Sequence, residues 1–138
     1  MSTESMLNYC IQKAREGDSS GRVRVYSVAT DKRGNFLGES LNSYIKTSPI
    51  MKRWANKMGH IGKEYLHSEM RTILSTMKSG KTISKLYIAR VNKKGESLPA
   101  LPCDICKMFI EDYERLFDTK VEIICQWQDQ ITHTCTSR

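Results

Sequence analysis

The short connection between the last two predicted strands is the feature that most limits how this chain can fold. Val121–Trp127 and Gln130–Cys135 both have strand-like patterns, and only Gln128 and Asp129 separate them. A crossover between neighbouring parallel strands needs a dozen or more residues. We therefore expect the final two strands to be antiparallel, which restricts the topologies available to the whole sheet.

The other segments alternate between helix and strand patterns. Alternating apolar residues predict a hairpin formed by Arg22–Thr30 and Phe36–Tyr44, and the most apolar stretch, Lys85–Val91, is expected to be a central strand. Helical spacing predicts helices over Glu4–Glu16, His67–Lys78, Asp104–Phe117 and, more briefly, Ile50–Met58. On the helix that ends at Phe117, the expected core positions are Ile105, Met108, Phe109, Tyr113, Leu116 and Phe117. This order predicts one three-layer α/β domain over residues 1–138.

Composition excludes several classes of protein. No apolar run approaches the roughly 20 residues that span a bilayer, so we expect no membrane segment. The polar N-terminus, Met1–Leu7, predicts no secretory signal and therefore a cytoplasmic, reducing location. Five cysteines, an odd number, do not suit a disulfide framework there, and closely spaced cysteines then indicate metal binding or catalysis.

The charge balance points towards a phosphate-bearing partner without requiring one. Lys and Arg number 22 against 15 Asp and Glu, which gives a net charge of +7. Such a surface favours nucleotides or nucleic acid, although a solvated basic surface explains it equally well because the charges form no block. The basic segment 46–66 is the favoured region for phosphate contacts.

Two short motifs carry the chemistry, and each lies at the predicted start of a helix. The first is His67-Ser68-Glu69, and the second is Pro102-Cys103-Asp104-Ile105-Cys106. One histidine and two cysteines supply three ligands for a tetrahedral Zn²⁺, and the open fourth position distinguishes a catalytic site from a structural one. Thiolates at a helix start also lie near its positive end. A glutamate two residues after the histidine can carry protons beside the metal without ligating it.

H-x-E followed by P-C-x-x-C resembles the signature of the zinc-dependent cytidine deaminase-like superfamily. The resemblance implies a central mixed sheet flanked by helices, with zinc bound by His67, Cys103 and Cys106. It also implies that Glu69 is the proton shuttle and that Asn42, at the end of the second strand, contacts the sugar. Inside the two motifs, Ser68 and Pro102 are further candidates for contact with the substrate.

Two substrates remain open for such an enzyme. The first, cytosine in a free nucleoside or nucleotide, is favoured because small single-domain enzymes more often serve metabolism, and such enzymes are often homo-oligomers. The second, cytosine in single-stranded DNA or RNA, is favoured by the charge and by residues 102–124, which resemble toxin-type nucleic-acid deaminases. Classical free-cytidine enzymes carry a cysteine where this chain has His67. A non-catalytic zinc domain that binds nucleic acid is a third hypothesis, against which Glu69 argues.

Overall fold

The computed structural model describes residues 3–17, 23–42, 53, 67–98, 100, 104–127 and 130–134. Its helices are α1 (Thr3–Glu16), α2 (Ser68–Met77) and α3 (Asp104–Phe117), and its strands are β1 (Arg24–Thr30), β2 (Phe36–Leu41), β3 (Lys85–Val91), β4 (Ser97–Leu98), β5 (Glu122–Trp127) and β6 (Gln130–Thr134). The bounds of β3 and α3 are those predicted. The helix predicted over Ile50–Met58 lies outside the described residues, Arg53 excepted. None of the described helices is both long enough and apolar enough to cross a membrane.

The strands form one mixed sheet in the order β2-β1-β3-β5-β6, with β4 paired to β3. β3 and β5 are parallel, and α3 lies in the connection between them. The pairs β1–β2, β1–β3, β3–β4 and β5–β6 are antiparallel. The antiparallel arrangement of the final pair, the hairpin and the central position of Lys85–Val91 are therefore confirmed.

Side chains that alternate along β3 fill two cores, one on each face of the sheet. Leu86 and Ile88 belong to the cluster formed with α2 and α3, whereas Tyr87, Ala89 and Val91 belong to the cluster formed with α1. Burial on both faces explains why β3 is almost continuously apolar. Each buried leucine or isoleucine side chain stabilises the fold by about 1.5–3 kcal/mol. The helices thus enclose the sheet in the predicted three-layer architecture.

The predicted core positions of α3 are only partly correct. Ile105 and Tyr113 are buried, and Phe109 packs against the core cluster that contains Tyr113. Three others are exposed, namely Met108 (39%), Leu116 (76%) and Phe117 (36%). The inward stripe instead includes Ile110 and the buried Glu114, whose carboxylate accepts a hydrogen bond from the Val121 N–H at 2.7 Å. Glu114 could not be predicted from the spacing of apolar residues, because it is a charged residue that is buried to bond the backbone after α3.

Close packing against the hairpin fixes the position of α2. A Cβ atom at Gly38 in β2 would lie 2.7 Å from Thr76 Oγ1, so only glycine permits this approach. On the neighbouring strand β1, the buried hydroxyl of Ser27 is hydrogen-bonded to that of Thr72 in α2, at 2.8 Å. These contacts hold the helix, and with it the residues of its first turn, against β1 and β2.

Candidate active site

His67 lies immediately before α2, and its backbone starts the helix. It is the N-cap residue with an extended backbone (φ −77°, ψ 152°), and its carbonyl accepts the Arg71 N–H at 3.0 Å. The imidazole makes no capping hydrogen bond to the helix. Instead, Nδ1 lies 3.4 Å from Cys106 Sγ in the first turn of α3. Two side chains that are 39 residues apart in sequence, at the starts of two different helices, therefore meet.

The contact between His67 and Cys106 fits a shared zinc ion. Tetrahedral zinc binds sulfur at about 2.3 Å and nitrogen at about 2.0–2.1 Å, which places the two ligand atoms about 3.6 Å apart. The observed 3.4 Å is close to this value, and Cys106 is fully buried. Among the described residues, no group of three His, Cys, Asp or Glu side chains could hold a metal. The third predicted ligand, Cys103, and the predicted substrate contact Pro102 both lie outside them.

Glu69 is a buried carboxylate at the start of α2, close in sequence to the histidine. Its residue is 6% exposed, and Ser68 beside it is fully buried. The Ser68 hydroxyl donates to Glu69 Oε1 at 2.9 Å. The structure therefore directs the Ser68 hydroxyl at the carboxylate, while the contact of Ser68 with a substrate stays a prediction. A hydroxyl donor in this position fixes the rotation of the carboxylate group.

Asn42 continues the hydrogen-bonding pattern of the hairpin beyond the last residue of β2. Its backbone N–H donates to the Val25 carbonyl at 2.9 Å, and its side-chain Oδ1 accepts the Val25 N–H at 2.9 Å. The side-chain Nδ2 donates to the Val23 carbonyl at 3.5 Å, the long limit of a hydrogen bond. The side-chain oxygen of Asn42 is therefore already bonded to β1. The side-chain nitrogen has two N–H groups, and it is the atom that can donate a hydrogen bond to a sugar oxygen.

Arg71 joins the end of β2 to the first turn of α2, and sequence reasoning missed it. Its Nη1 donates to the Leu41 carbonyl at 3.1 Å, and the bond is partly buried. The signal available in the sequence was its position one helical turn after His67, on a helix whose start carries the motif. No pattern in the sequence indicates the carbonyl that it reaches.

These features belong to a chain with the cytidine deaminase fold. Among the solved structures that it resembles are two point variants of cytidine deaminase from Mycobacterium tuberculosis, with TM-scores of 0.53 and 0.54. Each is 15% identical to this chain, and the matches cover 94% and 96% of it and 89% of the other chain. No family model and no curated protein sequence matches the chain. The predicted fold class, with its mixed sheet and flanking helices, is confirmed.

Proposed function

We propose that this chain is a zinc-dependent hydrolase that converts cytosine to uracil in a free nucleoside or nucleotide. One observation carries the proposal: His67 Nδ1 and Cys106 Sγ lie 3.4 Å apart, and Glu69, two residues after His67 in the first turn of α2, is buried. A redox-active cysteine pair or a structural zinc site would not require a buried carboxylate, such as that of Glu69, two residues after the histidine. The shared fold with enzymes named as cytidine deaminases supports the same chemistry.

The donor set suits zinc, with His67 and Cys106 joined by Cys103. Bound zinc supplies the Lewis acidity that makes water a nucleophile near neutral pH. Nitrogen and thiolate ligands of this kind select zinc over the hard cations Mg²⁺ and Ca²⁺, which prefer oxygen. Three protein ligands leave the fourth position for the reaction, in keeping with catalytic rather than structural zinc sites.

Glu69 moves the protons in the proposed reaction. As water adds to C4 of cytosine, the carboxylate accepts a proton from it and delivers that proton to ring N3. The carboxylate then takes the second proton from the hydroxyl now on C4 and transfers it to the exocyclic nitrogen. The C4–N bond breaks as the C4 carbonyl forms, and ammonia leaves. One C–O bond forms as one C–N bond breaks, so water and cytosine give uracil and ammonia without an oxidant. Ser68 holds Glu69 Oε1 and thereby aims the group that carries both protons.

The nucleoside is the proposed unit of recognition because Asn42 offers an amide N–H at the end of β2 for the sugar. Cytosine within single-stranded DNA or RNA is the second candidate, and the net charge of +7 favours it. A cytoplasmic location and a homo-oligomeric assembly are part of the same proposal, as they suit a small metabolic enzyme.

The test is to incubate the zinc-loaded full chain with cytidine, deoxycytidylate and a cytosine-bearing single strand, and to measure uracil products by chromatography. The proposal expects uracil from a free substrate, and loss of turnover in Glu69→Gln with about one zinc per chain retained. Turnover of the single strand alone would favour the second candidate. No uracil from any substrate, or undiminished turnover in Glu69→Gln, would overturn the proposed chemistry.

A further inference from the structure

We infer that Arg71 is a positioning residue that sets the enzyme's preference for a sugar-bearing substrate over the bare base. The inference rests on the proposed function and deepens it, since it assigns nucleoside recognition to a linkage between α2 and β2. Arg71 lies in the first turn of α2, two residues after the proposed proton carrier, and belongs to neither motif.

Arg71 has one bond to each of two elements. Its backbone N–H donates to the His67 carbonyl at 3.0 Å, and this bond closes the first turn of the helix. Its guanidinium donates to the Leu41 carbonyl at 3.1 Å, and Leu41 is the residue directly before Asn42. A single residue therefore ties the backbone of the proposed zinc ligand to the backbone next to the proposed sugar contact.

The hydrogen bond from Arg71 to the Leu41 carbonyl holds the chain next to Asn42 against the first turn of α2. Pairing with Val25 through both the backbone and the amide oxygen holds Asn42 along the strand ladder. That pairing fixes Asn42 to β1, and the Ser27–Thr72 hydrogen bond ties the middle of β1 to α2. The Arg71 bond, made by Nη1 alone, adds a direct tie between the end of β2 and the first turn of α2.

In the proposed site, different elements would contact the base and the sugar. The starts of α2 and α3 carry Glu69 and the residues that would hold zinc, and would therefore act on the base, whereas Asn42 after the hairpin strand β2 would contact the sugar. Breaking the Arg71–Leu41 bond lets the hairpin end shift relative to α2, so sugar contacts weaken while base contacts persist. Loss of one well-placed hydrogen bond weakens binding by about 5- to 10-fold.

The test measures dissociation constants on zinc-loaded protein in the Glu69→Gln background, where ligand is not consumed. The ligands are cytidine and 1-methylcytosine, which keeps a substituent on N1 but has no sugar. The variants are Arg71→Met, Asn42→Ala and the double substitution. Arg15→Met is the matched control, because Arg15 also donates to a backbone carbonyl, that of Gly95 at 2.9 Å, from α1. Zinc content is measured for every variant.

We expect Arg71→Met to weaken cytidine binding by about 5- to 10-fold, to leave 1-methylcytosine binding unchanged, and to add no penalty once Asn42 is alanine. Arg15→Met should change neither constant. Three results would overturn the role of Arg71 without affecting the proposed function. They are equal weakening for both ligands, additive penalties in the double variant, and unchanged cytidine binding in Arg71→Met. If neither ligand binds the zinc-loaded parent at all, the proposed function itself fails.

Discussion

Replacing Gly38 by alanine tests whether close packing of α2 on the hairpin assembles the site. The new Cβ would lie 2.7 Å from Thr76 Oγ1 and 3.0 Å from Ser75 Oγ. Neither hydroxyl can retreat freely, because both donate to the Thr72 carbonyl, at 2.8 and 2.9 Å. Overpacking of this kind costs about 1–3 kcal/mol, so we expect the free energy of unfolding to fall by that amount.

Gly17→Ala is the matched control, because the crowding there has the same size and a different neighbour. A Cβ at Gly17 would lie 2.7 Å from Leu41 Cδ2, the far end of a flexible side chain that can rotate away. We expect this variant to remain within about 0.5 kcal/mol of the parent, since the end of the Leu41 side chain can move away from the new methyl group. Urea denaturation measures both, and zinc affinity should fall only in Gly38→Ala. Equal stability of the two variants would refute the packing argument.

Three further predictions concern the site and its surroundings. Ser68→Ala removes the donor to Glu69 Oε1, so steady-state kinetics should show kcat lowered about 10-fold with zinc content unchanged; an unchanged kcat would remove Ser68 from the account. Cys106→Ala should bind zinc at least about 10-fold more weakly by chelator competition, whereas Cys10→Ala, on the opposite face of the sheet, should bind it normally. Burial raises the pKa of the Cys10 thiol to about 12, so that thiol stays protonated at pH 8 and should resist a disulfide reagent until the protein is unfolded; rapid labelling of the native protein would contradict its burial.

The sequence predicts the sheet well because its connections and apolar runs follow from chain geometry. Two residues between Trp127 and Gln130 allow no crossover, and β3 is apolar because both of its faces are covered. The short strand Ser97–Leu98 escaped prediction because two residues have no periodicity. The second strand was predicted to run to Tyr44. β2 ends at Leu41, Asn42 pairs with Val25 through both its backbone N–H and its side-chain oxygen, and Ser43 and Tyr44 lie outside the described residues.

The candidate site, like the fold, could be predicted from the sequence only in part. The approach of His67 to Cys106 could be predicted, because ligand chemistry restricts which residue types sit at two helix starts. The bonds from Ser68 to Glu69 and from Arg71 to Leu41 could not be, since they depend on side-chain directions after the elements pack. The predicted contacts of Asn42, Ser68 and Pro102 with a substrate, and zinc ligation by Cys103, stay predictions.

X-ray absorption at the zinc edge of the metal-loaded protein tests the central claim most directly, because it counts the sulfur atoms around the metal. We expect two sulfurs at about 2.3 Å and two lighter atoms at about 2.0–2.1 Å, one from His67 and one from solvent. In Glu69→Gln this shell should be unchanged. Three or four sulfurs, or no zinc retained at equimolar loading, would contradict an open catalytic site built by His67, Cys103 and Cys106.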